Sequence, residues 1–412
     1  MQRDTRVPAD GAPTRAASPS GVQRRPEPAA FRRDAPTVLA YGGITCFAFW
    51  IYGYGPALAL LRGELGFSYT LLGVYSAAWS GGAVLTGLAF PWAAGRLPRA
   101  TLLWSSALLA GAGAAMFGLG SGVAVTLAGA GVLGLGGTTL LTVLQAVLSD
   151  RHGPRRDRAL TEANIGAAAC AVLAPLTLGA LAAGPVGWRA AFALPVLGLA
   201  ALWLRYRREP LPSATVLSGP GPHRPLPLAC WLFVGLASAS MAVEFCLVYF
   251  GAEHLRATGL STTAAVTAMT GHYLGLLAGR VAGALATRRP GRDAVLLYAS
   301  LALTGGGFLL FWVAAGPVVA IVGLLLAGVG VANLYPLSVA LSLGAAPGRE
   351  DQANSRTQLL GGLLVVGAPY LLGATADRLG LSTAFAIEPV LIGACLLLLV
   401  LGLRARRPVS SF

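Results

Sequence analysis

Residues 123–148 read VAVTLAGAGVLGLGGTTLLTVLQAVL and contain no Asp, Glu, Lys or Arg. About 20 consecutive apolar residues form a helix that crosses the hydrocarbon core of a bilayer, so this stretch predicts a transmembrane helix. It is also rich in glycine, which lets helices pack closely in lipid. Runs of the same kind recur along the chain and predict an all-α integral membrane protein.

The composition of the whole chain agrees with this fold class. Of the 412 residues, 55% are hydrophobic and 11% are charged, whereas a soluble domain has about 25% charged residues. So few charges leave too little polar surface to cover a water-soluble body of this size. Twelve transmembrane spans are predicted, at 37–61, 68–92, 100–118, 123–148, 161–183, 189–206, 228–250, 262–286, 294–314, 316–342, 356–376 and 382–403.

The spans divide into two groups of six. Residues 37–206 and 228–404 are predicted to form two pseudo-symmetric six-helix bundles, and residues 207–227, with six prolines, form the linker between them. Residues 1–36 are polar and rich in Pro, Ala and Arg, which is typical of a disordered tail. Residues 405–412 form a second short tail.

The distribution of arginine predicts the orientation. The chain has no Lys, and 25 of its 30 Arg residues fall on one side of the predicted topology. By the positive-inside rule, the linker and both termini are therefore expected in the cytoplasm. This rule also explains the net charge of +14, so no nucleic-acid partner is expected. The use of Arg alone indicates a GC-rich bacterial genome, and hence a multi-pass protein of the bacterial cytoplasmic (inner) membrane.

An internal repeat supports the division into halves. GFSYT at 66–70 precedes the second span, and GLSTT at 259–263 precedes the eighth, at an offset of 193 residues. Matches that keep their order over both halves indicate parallel repeats related by an axis along the membrane normal. With one residue inserted, the further matches are Gly134 with Gly328, Gly136 with Gly330, Pro175 with Pro369, and Gly179 with Gly373.

Twelve spans, a central linker and a two-half repeat resemble the major facilitator superfamily. In that family the loop after the second span carries a Gly-x-x-x-Asp-Arg-x-Gly-Arg pattern. Here PWAAGRLPR at 91–99 keeps the two arginines, and GALATRRPGR at 283–292 has one inserted residue, but both lack the Asp. The stretch GWR at 187–189 also looks like the family's approach to its sixth span. The resemblance implies a twelve-span secondary transporter fold over roughly 37–404.

The resemblance also implies a cytoplasmic gate at these two loops. Gly95 and Thr287 stand where the family has Asp, so another carboxylate is expected to pair with the loop arginines. The candidates for that carboxylate are Asp150, Asp157 and Glu162, and the gate arginines are Arg96, Arg99, Arg288 and Arg292.

Two ionisable residues within spans are the candidates for proton coupling. Glu244 lies in the seventh span and His272 in the eighth, at depths that differ by only about 4–5 Å at 1.5 Å per helical residue. A desolvated carboxylate beside an imidazole can take up and release a proton. Alternatively, the two side chains form a fixed hydrogen bond between helices, or they contact the substrate.

Several side chains are candidates for lining a substrate cavity, because the resemblance places their spans beside it. Aromatic faces with a polar group suit a ring-bearing or amphipathic solute, although packing explains them equally well. Asn333 and Tyr335 lie about 200° apart on a regular helix, so at least one is expected to be structural. Arg280 either extends to the cytoplasmic face, pairs with a carboxylate or holds an anionic solute. The candidates are Tyr41, Trp50, Tyr54, Gln145, Asn333, Tyr335 and Arg280.

No motif for catalysis, metal binding or nucleotide binding is found, so neither an enzyme nor a cofactor is expected. The sequence therefore predicts a secondary transporter of a small organic solute working by alternating access, with proton coupling as the working mechanism. A facilitated uniporter, or a non-transporting receptor or accessory protein of the same fold, remains an alternative. The expected partners are the small-molecule substrate and membrane lipid, and the fold needs no second subunit.

Overall fold

The computed structural model describes residues 31–212, 225–287 and 292–406. Nearly all of these residues are helical. Two short 3₁₀ helices, Gly153–Arg155 and Trp188–Phe192, precede α5 and α6. The α-helices are α1 (Ala35–Leu65), α2 (Tyr69–Ala94), α3 (Arg99–Leu119), α4 (Val123–His152), α5 (Arg156–Ala182), α6 (Ala193–Tyr206), α7 (Leu228–Ala257), α8 (Thr262–Ala268), α9 (Thr270–Ala286), α10 (Asp293–Trp312), α11 (Pro317–Val331), α12 (Leu334–Gly344), α13 (Glu350–Leu379), α14 (Leu381–Ala384) and α15 (Ile387–Ala405).

Eleven segments of the described residues are long and apolar enough to cross a membrane, and they coincide with eleven of the twelve predicted spans. The remaining predicted span, 262–286, is divided at Met269 into α8 and α9. The chain is therefore an all-helical membrane protein with the predicted order of spans. The predicted tails 1–36 and 405–412 and the predicted linker lie largely outside the described residues.

The repeated turn motif has the same structural role in both halves. Gly66 and Gly259 have φ values of 66° and 104°, a left-handed backbone that glycine adopts without steric penalty. Two residues later, the hydroxyls of Ser68 and Ser261 accept hydrogen bonds from backbone N–H groups in the first turn of α2 and α8. Each motif therefore ends one element and caps the next helix.

The repeated glycines mark equivalent helix contacts. A Cβ on Gly134 would lie 2.2 Å from the carbonyl oxygen of Trp79, and one on Gly328 would lie 2.3 Å from that of His272. Trp79 and His272 are themselves 193 residues apart. The packing of α4 on α2 therefore recurs as the packing of α11 on α9, as small residues permit in membrane bundles.

The first six and the last six transmembrane helices, called here the N-terminal and C-terminal halves, meet where α2 packs on α13 and α5 packs on α8. A Cβ on Gly373 would lie 2.2 Å from the carbonyl oxygen of Tyr69, and one on Gly179 would lie 2.0 Å from Oγ1 of Thr267. Short connections reverse the chain between helices. We call the end where α1 begins and α2 ends the basic end, and the opposite end the far end.

Candidate functional site

A cavity of about 620 Å³ lies between α1, α2, α4, α7 and α13. Two of its lining residues, Phe47 and Ile51, lie near the middle of α1. Other lining residues lie in the last turns of α2, such as Pro91, and in the first turns of α13, such as Ser355. The cavity therefore extends from the centre of the bundle toward the basic end.

The lining of the cavity is apolar and aromatic, with a few neutral polar groups. The rings of Phe47 and Trp79 are stacked with centroids 6.4 Å apart, and Phe245 faces the cavity from α7. Gln145 on α4 and Gln358 on α13 also line it. Among the described residues that line the cavity, none is charged.

The far end is joined across the halves by an ion pair. Arg62 of α1 donates to a carboxylate oxygen of Glu253 on α7 at 2.9 Å, and the Glu253 side chain is only 1% exposed. Arg256 contacts the same carboxylate at 3.1 Å. The Arg62 guanidinium also lies 3.8 Å from the ring centre of Tyr69. Breaking a buried pair leaves an uncompensated charge, so this contact favours the association of the two halves at the far end.

A second contact between the halves lies beside the ion pair. The carboxylate of Asp377, near the end of α13, accepts hydrogen bonds from the backbone N–H groups of Tyr69 at 2.8 Å and Thr70 at 2.7 Å. These are unsatisfied donors in the first turn of α2. Sequence reasoning did not identify Arg62, Glu253 or Asp377, although each is a rare charge at a helix end on the arginine-poor side.

The basic end carries a network of ion pairs within the N-terminal half. Arg99 donates to Asp150, one of the three carboxylates expected to pair with the loop arginines. Arg96 instead lies over the ring of Trp92, 4.5 Å from its centre. The side chain of Asp157 and the whole of Arg288 lie outside the described residues, and Arg292 is exposed.

The remaining candidate, Glu162, joins the start of α5 to the segment before α1. Its carboxylate accepts hydrogen bonds from Arg33 at 2.8 Å and from the hydroxyl of Tyr41 at 3.1 Å. Tyr41 therefore belongs to this network and not to the cavity lining, where it was predicted. The neighbouring Asp34 is partly buried, yet hydrogen bonds from Thr37 and the Arg151 guanidinium hold its pKa below the ordinary value.

Of the residues predicted to line the cavity, Gln145 does so. Trp50 is fully buried and donates from Nε1 to the carbonyl oxygen of Phe192 at 3.1 Å. Tyr54 is also buried and donates its hydroxyl to the carbonyl oxygen of Tyr75 at 2.8 Å. The prediction that Trp50 and Tyr54 face a solute is wrong, because their polar atoms are used inside the N-terminal half.

Asn333 and Tyr335 are also absent from the described cavity lining. The Asn333 amide donates to the carbonyl oxygen of Gly279 on α9 at 2.8 Å, at the break between α11 and α12. A Cβ on Gly283 would lie 2.0 Å from Oδ1 of Asn333. Asn333 is thus a packing residue, which agrees with the expectation that one of the two is structural. Tyr335 is half-buried.

The predicted pair of Glu244 and His272 is not formed. His272 is fully buried, and neither ring nitrogen has a hydrogen-bond partner among the described residues. Its backbone packs against Gly328 of α11. The charged group that acts on Glu244 is Arg280 of α9, and Arg280 also interacts with Tyr52 of α1. His272 therefore packs against α11 and not beside Glu244.

The 193-residue repeat relates this charged cluster to the cavity. Ile51 and Gly87, which line the cavity, correspond to Glu244 and Arg280, and Phe245 corresponds to Tyr52. We call Ile51, Gly87 and Phe245 the neutral wall, and Glu244, Arg280 and Tyr52 the charged wall. Glu244 and Tyr52 are partly exposed and Arg280 is exposed.

Within the described part of the chain, no three His, Cys, Asp or Glu side chains are grouped as metal ligands would be. The five cysteines carry free thiols.

Comparisons with known proteins agree on one fold. A sequence model described as Major Facilitator Superfamily matches residues 40–350. A bacterial homologue of the human lysosomal transporter Spinster, inward-facing and unoccupied, is 16% identical, with a TM-score of 0.64 over 90% of this chain and 94% of that one. The nucleoside transporter NupG is 12% identical, with a TM-score of 0.72 over 91% and 100%. A D-xylose-proton symporter is 15% identical, with a TM-score of 0.72 over 90% and 97%. Among curated protein sequences, none matches this chain.

Proposed function

The chain belongs to the Major Facilitator Superfamily, a family of transporters and not of enzymes, and on this premise we propose that it couples proton movement to the transport of a small organic solute. One observation carries the proposal. The charged wall links the two halves, because Arg280 of the C-terminal half interacts both with Glu244 of the same half and with Tyr52 of the N-terminal half. A change of charge at Glu244 therefore changes the interactions of Arg280 at the contact between the halves.

The transport step is alternating access. The cavity extends to the basic end, while the Arg62–Glu253 pair and the Asp377 hydrogen bonds join the halves at the far end. Rocking of the halves about the cavity would break these contacts and open the far end. The excess of arginine supports a cytoplasmic location of the basic end, by the positive-inside rule. In this orientation the structure corresponds to the state that exchanges solute with the cytoplasm.

The proton step is assigned to Glu244. An ionised carboxylate inside a span costs several kcal/mol unless it is paired or hydrated, and Arg280 supplies the compensating charge. A proton on Glu244 removes the attraction for Arg280 and leaves the guanidinium with Tyr52 alone. Arg280 therefore interacts with both halves when Glu244 is ionised and with the N-terminal half when Glu244 is protonated. This dependence links protonation of Glu244 to the rocking of the halves. His272 has no part in this step, because it faces α11.

The test uses the purified chain in liposomes that contain a pH-sensitive dye, screened against a solute library. Solute should drive proton movement in the wild-type protein. Glu244→Gln should abolish that proton movement while solute exchange across the membrane continues. The control is Glu388→Gln, since Glu388 is a fully buried carboxyl of α15 outside both walls.

Two other outcomes would contradict the proposal in different ways. Solute flux without proton movement in the wild type would identify a facilitated uniporter, in which Glu244 and Arg280 only hold α7 and α9 together. Binding of solute without any flux would identify a receptor or accessory protein that keeps the fold.

A further inference from the structure

We infer that the cavity binds an uncharged, ring-bearing solute and that the amides of Gln145 and Gln358 select it. This inference deepens the proposed function, because it names the substrate class of the cavity. It rests on the cavity being the solute site and is independent of proton coupling.

The aromatic residues of the cavity favour a ring. Phe47 and Trp79 line the cavity from the N-terminal half, with their rings stacked on each other at an angle of 24°, and Phe245 lines it from the C-terminal half. Aromatic rings gain offset-stacked or edge contacts in addition to the burial of their area. The volume of about 620 Å³ lies within the range of about 300–1,000 Å³ that holds drug-sized ligands. A solute of one or two rings with polar substituents fits this space.

The absence of charge among the described lining residues excludes an ion as the preferred solute. A charged group moved from water onto apolar walls loses its hydration and gains no counter-charge, so it binds poorly or takes a neutral form. The nearby charged wall does not supply that counter-charge. Arg280 interacts with Glu244 and with Tyr52, and a solute ion would have to replace those interactions.

The two amides supply the specificity. Thr86 and Thr142, also in the lining, already donate to backbone carbonyls of α4, whereas Gln145 and Gln358 make no hydrogen bond with any described residue. Each amide offers two donors and one acceptor, which match hydroxyl, amide or carbonyl groups of a neutral solute. Gln145 belongs to the N-terminal half and Gln358 to the C-terminal half, so a solute that reaches both contacts both moving bodies.

The test compares three probes that share one ring system: indole-3-acetamide, which is neutral, indole-3-acetate, which is an anion, and tryptamine, which is a cation. Their dissociation constants for the purified full-length protein are obtained from the concentration dependence of its thermal unfolding. The amide should bind at least about tenfold more tightly than either ion. Equal or tighter binding of either ion, or no binding of the amide, would overturn the inference.

A substitution then assigns the selectivity to the amides. Gln145→Glu keeps the shape of the side chain and adds a charge, so it should move the preference from the amide toward tryptamine by about tenfold. Gln358→Glu should do the same from the opposite side of the cavity. Gln352→Glu introduces the same change on α13 outside the cavity lining and should leave the order of the probes unchanged. A shift in this control as large as that in Gln145→Glu would remove the assignment.

These measurements use no proton gradient, so the two proposals fail separately. A neutral probe that binds but moves no protons would contradict the coupling through Glu244 and leave the substrate class standing. A charged solute that is carried together with protons would contradict the proposed substrate class and leave the proton coupling standing.

Discussion

On the neutral wall, Ile51 and Gly87 occupy the positions that Glu244 and Arg280 occupy on the charged wall, 193 residues later. The neutral wall borders the cavity, and the charged wall carries a carboxylate and a guanidinium that interact electrostatically. One duplicated framework therefore presents two kinds of chemistry at its centre. This difference supports the proposal that the neutral wall binds the solute and the charged wall binds the proton.

The positions that pack the helices do not differ in this way. Gly136 and Gly330 each bring a backbone nitrogen of the neighbouring helix close to the place where a Cβ would be, at 2.5 Å from Ala110 N and 2.3 Å from Thr304 N. Any larger side chain there would separate the helices. Repetition is thus retained where backbones touch and lost where side chains face the centre.

The largest expected effect comes from placing a charge on the neutral wall. Ile51→Glu puts a carboxylate at the position equivalent to Glu244, but its partner position is Gly87 and offers no cation. An unpaired charge near the middle of a membrane costs about 2.5–3.5 kcal/mol. We therefore expect a clearly lower midpoint of thermal unfolding and a lower yield of folded protein.

The matched control for this change is Ile51→Gln. Gln has nearly the same shape as Glu but no charge, so this variant should lose much less stability. Adding Gly87→Arg to Ile51→Glu should recover part of the loss, because the structure has open space at the Cβ position of Gly87. If Ile51→Glu were as stable as Ile51→Gln, the two walls would not differ in the way proposed.

The next effect tests whether Arg280 and Glu244 act as a pair. Arg280→Met should destabilise the protein, because it leaves Glu244 without its compensating charge. In the double variant that also carries Glu244→Gln, most of the stability lost through Arg280→Met should be recovered. The coupling energy from this double-mutant cycle is expected to reach up to about 3 kcal/mol, measured by thermal or denaturant unfolding. Additive single effects would show that the two side chains do not compensate each other.

The fold was predictable from the sequence because it depends on local signals. Span length, the Gly66 and Ser68 turn, and the repeated glycines all act through backbone geometry, which a linear pattern records. The pairing at the charged wall was not predictable in the same way. Counting residues gives the depth of a side chain but not its direction, and His272 and Arg280 point about 80° apart around their helix.

The contacts between the halves were missed for a different reason. Arg62, Glu253 and Asp377 meet only when the two halves are placed against each other, and no local pattern gives that placement. Trp50 and Tyr54 were assigned to the cavity because their polar aromatic side chains suit a solute. The same indole and hydroxyl groups can equally donate a hydrogen bond to a buried carbonyl oxygen. Only the direction of the side chain distinguishes such a structural role from contact with a solute.

A smaller effect distinguishes Trp79 from its counterpart His272. Trp79 lines the cavity, so Trp79→Leu should weaken the binding of a ring-bearing solute by about thirtyfold, the loss typical of a central aromatic contact. His272→Leu should leave that affinity unchanged, because His272 is fully buried outside the cavity lining. Dissociation constants for indole-3-acetamide measure both. Equal losses of affinity in the two variants would mean that Trp79 and His272 contribute equally to solute binding, so that these two repeat-related positions do not differ in role.

The smallest effect concerns the one hydroxyl that separates Tyr52 from its counterpart Phe245. Tyr52→Phe removes the hydroxyl beside Arg280 and should cost about 0.5–1 kcal/mol of the contact between the halves, as for a single hydrogen bond. The expected result is a proton-coupled solute flux that changes by about two- to fivefold. Phe245→Tyr adds a hydroxyl to the neutral wall, which has no cation to donate a hydrogen bond to it. This variant should change the affinity for the solute without changing the number of protons moved per solute. If Phe245→Tyr altered that ratio, proton coupling would extend across both walls, and the division between them would not hold.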